Sequence, residues 1–166
     1  PARRGINRVV WDLRHEPLSR PPSGEQQRGP RGLEGPFVVP GEYTVRLTAG
    51  GRTLDERVRV EEDPRVVVAP SGRQSWTSTL LRLGDLYRAV DALLAKVTPA
   101  AAKLKGDADA EALRWTVNEL RNRVGGLYGE ISASAGPVTA DQQSQVEYYP
   151  TVLRDLEQRA AKLLAR

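Results

Sequence analysis

The chain has 166 residues, 39% hydrophobic and 28% charged, a balance typical of a globular protein and not of a disordered one. It has no cysteine, which excludes disulfides, thiol catalysis and cysteine-ligated metal sites. The formal charge of +4 is carried mostly by arginine, mixed along the chain with Asp and Glu, and reads as a solvated basic surface in preference to a nucleic-acid groove. The longest apolar run, Val66, Val67, Val68 and Ala69, is strand-sized and far short of the ~18 residues of a membrane span. There is no methionine, even at position 1, so the chain is expected to come from within a longer gene product.

Two grammars divide the sequence, and they predict an α+β chain. Residues 1–70 form a small, partial Ig-like β-sandwich, and residues 71–166 an antiparallel three-helix bundle. Residues 6–13 (INRVVWDL) predict a first strand, with Trp11 as an anchor of the sandwich core. Residues 16–40 are rich in Pro and Gly, with Pro21-Pro22, Gly29-Pro30 and Gly35-Pro36. They bury too little apolar surface to offset their ordering entropy and predict a long, mobile surface loop. Tyr43, Val45 and Leu47 then alternate with Thr44 and Arg46 as a half-buried strand. Gly50-Gly51 signals a tight turn, and Leu54, Val58 and Val60 share one face of the returning strand. Asp63-Pro64 breaks the pattern, and residues 65–69 are a last short strand or a connector.

From Ser71 the apolar period becomes helical. The first stripe is Trp76, Leu80, Leu83, Tyr87, Val90, Leu94 and Val97. The second is Leu113, Val117, Leu120, Val124, Leu127 and Ile131, and the third Val146, Tyr149, Leu153, Leu156, Ala160 and Leu163. Each helix gains one seam, and three seams close into an up-down-up bundle of helices about 24 residues long. Thr98-Pro99 predicts the end of the first helix, with a possible extra turn over 100–105. Asp107 or Asp109 caps the second, Thr139 with Gln142 makes a capping box for the third, and Pro150 predicts a kink or break near Tyr148-Tyr149. Gly125-Gly126 marks a close approach by a neighbour.

Catalytic patterns are missing. The sole histidine, His15, lacks the partners for a zinc site or a serine triad, and there is no Gly-x-Ser-x-Gly elbow, phosphate loop or dinucleotide fingerprint. Glu61, Glu62 and Asp63 read as surface charge, not a glycosidase pair. No cofactor and no metal are expected. Candidate interaction residues are Trp115, Tyr148, Tyr149 and His15. Trp115 lies beside the second stripe and is expected in core or inter-domain packing. One ring of the tyrosine pair is expected inward and the other outward.

Two stretches carry a resemblance. GINRVVWDLR (5–14) followed by VPGEYTVRL (39–47) resembles the G-x-N-x-x-x-W-D … P-G-x-Y-x-x-x-L pattern of small Ig-like domains at the C-termini of exported bacterial proteins. Val117 to Leu120, Gly126 to Glu130 and Pro137 to Gln142 are similar to segments of the helical tail that follows it. Together they resemble the C-terminal region of bacterial sortilin-like proteins with BNR-type β-propeller repeats, often loosely labelled glycosyl hydrolases. The resemblance implies a non-catalytic, exported accessory region that caps an upstream propeller and docks or spaces it to a partner. It implies no catalytic residue here, and a sandwich short of strands, with an unpaired edge. The partner is then the upstream propeller or another chain, with no nucleic acid and no membrane span. Two other readings are carried: a contribution to a propeller glycosidase through His15 and the long loop, and anionic-polymer binding through Arg114, Arg121 and Arg123.

Overall fold

The computed structural model describes residues 5–18, 33–134 and 136–165. The middle of the expected loop, including Pro21-Pro22 and Gly29-Pro30, lies outside them. The architecture is α+β: a two-stranded antiparallel sheet, β1 (Gly41–Ala49) and β2 (Arg52–Val60), then three helices, α1 (Pro70–Lys103), α2 (Ala108–Ala133) and α3 (Ala140–Leu164). An Ig-like sandwich is not seen among the described residues.

The helices hold the core. All three pack on one another, and the second and third predicted stripes are buried in full. In α1 the seam passes through Leu93, with Leu94 only partly buried, because a 34-residue helix drifts off a strict step of four and three. Trp76 donates its indole N–H to the Ile131 carbonyl at 2.9 Å, setting the start of α1 beside the end of α2. Asp109 and Leu113 share a surface cleft with Arg159 and Leu163, so α3 runs antiparallel to α2.

Neither the helix end expected at Thr98-Pro99 nor a break at Pro150 is seen. α1 continues through Pro99 to Lys103 and is about 51 Å long. Val97 and Ala101 on either side are buried at 0% and 1% exposure, and the Thr98 hydroxyl donates to the Leu94 carbonyl, so tertiary packing overrides the local preference. α3 is likewise unbroken at Pro150: Tyr149 and Leu153 are buried around it, and Thr151 Oγ1 donates to the Tyr148 carbonyl. The caps follow the sequence. Asp107 accepts from the backbone N–H groups of Asp109 and Ala110, and Thr139 and Gln142 form the reciprocal capping box.

The hairpin register pairs Gly41 with Val60 and Ala49 with Arg52. Gly50 and Gly51 both have positive φ, 56° and 73°, which is the two-glycine turn that matches strand twist. Residues 6–13, expected as a strand, are not one. Ile6, Val9 and Val10 are exposed, Asp12 Oδ1 accepts from Arg14 N–H, and Leu13 turns into the left-handed region at φ 60°. Residues 65–69 are a connector.

The ends of the expected loop are packed. Residues 13–18 and 33–38 run against each other, joined by His15 N–H to Pro36 O, Leu18 N–H to Leu33 O and Val38 N–H to Leu13 O. A Cβ on Gly35 would fall 2.1 Å from the His15 carbonyl oxygen, so this crossing admits only glycine. Leu18 packs on Gly84 of α1, and Tyr128 of α2 donates its hydroxyl to the Glu34 carbonyl at 2.6 Å. Gly125 meets the Tyr87 ring, with a built Cβ at 3.2 Å, whereas nothing lies near Gly126.

Truncating the fully buried Leu80 to alanine is expected to cost about 2–5 kcal/mol in urea unfolding followed by helical circular dichroism. Leu54→Ala on the exposed hairpin is expected to change it by less than about 0.5 kcal/mol.

Candidate functional site

The hairpin has two unlike faces because strand side chains alternate. Glu42, Thr44, Arg46 and Thr48 lie opposite Arg59, Arg57, Asp55 and Thr53 on the polar face. There Arg46 and Asp55 form a two-pronged pair at 2.8 and 2.7 Å, which holds the Asp55 carboxyl below its usual range. The other face carries Tyr43, Val45, Leu47, Leu54 and Val58.

That apolar face is covered only at its base. Trp11 meets Tyr43 edge-on, ring centroids 5.5 Å apart, and donates its indole N–H to the Arg14 carbonyl. Trp11 is 40% exposed, so it does not anchor a sandwich core; with no second sheet over it, it shields one row of the hairpin instead. Toward the turn, Val45, Leu47 and Leu54 are 49%, 59% and 68% exposed. The half-buried strand read from the alternation is therefore exposed at its tip, because nothing among the described residues lies against it.

Where the hairpin meets the helices, a cleft of about 460 Å³ is lined by Leu13, Phe37, Val60, Glu62, Arg73 and Trp76. Arg73 Nε bonds the Glu62 carboxylate at 2.7 Å, and its guanidinium sits 5.3 Å from the Trp76 ring centre. Glu61 pairs with Arg59 and Asp63 with Arg65, so the acidic run read as surface charge is matched by arginines. Arg65 lowers the Asp63 pKa. Ser132 and Ser134 line the same cleft with no histidine beside them.

The sequence-selected residues do not converge. His15 is exposed and borders a shallow surface cleft with Leu81, Gly84 and Arg88. Trp115 is 63% exposed, against the expectation of packing; its position falls outside the seam, and neither the hairpin nor another helix covers it. Tyr148 points outward at 61% exposure and Tyr149 inward at 7%, its hydroxyl donating to Gln145 Oε1. Among the described residues no hydrogen bond, ion pair or ring contact joins His15, Trp115 and the tyrosine pair. Arg114, Arg121 and Arg123 are each bonded to a carboxylate, Glu111, Asp91 and Glu119 in turn. Also among the described residues, no cluster of three His, Asp or Glu side chains is placed to hold a metal ion. No described helix is long and apolar enough to cross a membrane.

The open apolar row was legible as an alternation, but its exposure was not. Compared with known proteins, the chain matches no family model, no curated protein and no solved structure.

Burial pushes the Tyr128 phenol up to about 12. Below about pH 10 the phenol is protonated in both folded and unfolded chains and contributes no pH dependence. Above it the unfolded chain releases the proton first, so stability falls as pH climbs towards 12. Tyrosinate absorbance is expected to show a late step near pH 12 that Tyr128→Phe removes.

Proposed function

We propose that the chain is a non-catalytic interaction region, its docking element the open tip of the hairpin face and its three helices a rigid mount. The observation that carries this reading is the contrast between a closed helical core and an uncovered row of Val45, Leu47 and Leu54. A two-stranded ribbon is marginal alone, and an apolar sheet face is stable only when another layer covers it. In this reading the hairpin is one part of an Ig-like sandwich whose second layer comes from another body.

The resemblance to the C-terminal regions of sortilin-like propeller proteins extends the proposal. The region then belongs to an exported protein, caps its β-propeller, and uses the hairpin side to dock to a partner. An enzymatic contribution through His15 has less support, since His15 is exposed and its cleft offers only the chain neighbour Glu16 as a carboxylate and no serine among its lining residues. Anionic-polymer binding has less support because its arginines are already ion-paired.

Two measurements test the proposal. The chain is expected to show no turnover on a panel of chromogenic glycosides and esters, and an enzymatic rate would sink the non-catalytic reading. A hydrophobic dye is expected to bind the chain and to lose most of its fluorescence in the Val45→Asp/Leu54→Asp double variant, with helical circular dichroism unchanged. Dye binding that ignores these substitutions would mean that the hairpin face is not the open surface.

A further inference from the structure

The apolar face is interrupted by two charged side chains, and their placement names a partner. Along it the cross-strand rows are Tyr43 with Val58, Val45 with Glu56, Leu47 with Leu54, and Ala49 with Arg52. Trp11 closes the Tyr43 row. Three rows stay open, with Leu47–Leu54 at their centre and one opposite charge on either side. Neither Arg52 nor Glu56 takes part in an ion pair among the described residues, although Arg46–Asp55 on the other face is fully paired.

We infer that the body covering this face is a second copy of the chain, stacked hairpin on hairpin about a two-fold axis through the Leu47–Leu54 row. This rests on the interaction-region reading above and names its partner. Stacked sheets lie about 10 Å apart with strands aligned to within about 30°. An axis crossing the strands at the Leu47–Leu54 row lays those leucines on their counterparts. It also brings Glu56 over the partner's Arg52, and Arg52 over the partner's Glu56, so one symmetric contact makes two ion pairs. Centring the axis one row nearer the base would set Glu56 on itself, and one row nearer the turn would set Arg52 on itself. Both alternatives bury like charges, and only the central register is neutral. Polar groups elsewhere on the hairpin point away from this interface. Three rows of side chains form a patch below the roughly 1,200 Å² of a stable standard interface, so the association is weak and reversible.

Sedimentation equilibrium of the full chain from about 10 µM to about 1 mM tests this, spanning the range in which so small an interface associates. The chain is expected to form a reversible dimer. Arg52→Glu alone and Glu56→Arg alone are each expected to weaken it by roughly tenfold or more, since each places like charges face to face. The Arg52→Glu/Glu56→Arg exchange is expected to restore it to near the starting affinity. Because both substitutions are on exposed strand positions away from the helical core, circular dichroism serves as the folding control for all three variants. A monomer at every concentration, a dimer indifferent to the single substitutions, or an exchange that fails to rescue would each overturn the second-copy assignment. The interaction-region reading fails separately, through the dye experiment: a monomer whose dye binding is still lost with Val45→Asp/Leu54→Asp has an open face meant for a different β-rich body.

Discussion

The Trp76 indole ties the molecule together. Its N–H reaches the last turn of α2, its ring lies in the helical core, and Arg73 beside it bonds Glu62 just beyond β2. Three parts of the chain that are distant in sequence meet at this one side chain. The buried indole N–H needs an acceptor, and the Ile131 carbonyl near the end of α2 is available as one. Besides that junction and the connector over 61–69, the hairpin is tied to the bundle through residues 13–18 and 33–38. Those residues depend in turn on Tyr128 and on the Gly35 crossing.

The helical half was nearly all legible, because amphipathic period and capping chemistry are local signals. Val117, Val124 and Leu156 sit where a 3.6-residue repeat puts them, and Asp107 and Thr139 cap as their types prefer. The prolines misled for a physical reason. Pro99 and Pro150 each remove one backbone donor, a local cost, while burial of Val97, Ala101, Tyr149 and Leu153 acts through contacts that no short window contains. In the first half, the alternation at residues 43–47 gave the strand and its facing, and Gly50-Gly51 gave the turn. Whether a layer covers that face is a non-local matter, and so Trp11, expected in a sandwich core, is 40% exposed with no second sheet over it among the described residues. The same limit hid the packed ends of the Pro- and Gly-rich stretch, where Pro36 is fully buried.

The candidate site was legible only in part. Tyr148 outward and Tyr149 inward followed from their positions on α3, and Trp115 off the seam followed from its spacing. The open hairpin tip, on which the functional proposal rests, needed the register to show that Arg52 and Glu56 flank Leu54 on the apolar face. Charge on that face suits a surface that associates and separates, since fully apolar rows would favour indiscriminate stacking.

The Tyr128–Glu34 hydrogen bond spans 94 residues of sequence, against 55 for the Trp76–Ile131 bond. Contacts between helices joined by short connections cost less loop-closure entropy than a contact this distant. The chain therefore has two stabilities. Neither strand of the hairpin has a close backbone contact with a helix, so the hairpin is expected to open at a lower free energy than the bundle, whereas Leu18 and Leu33 share the helical core. In slow hydrogen exchange the strand amides of β1 and β2 are then expected to exchange sooner than the buried amides of the three helices.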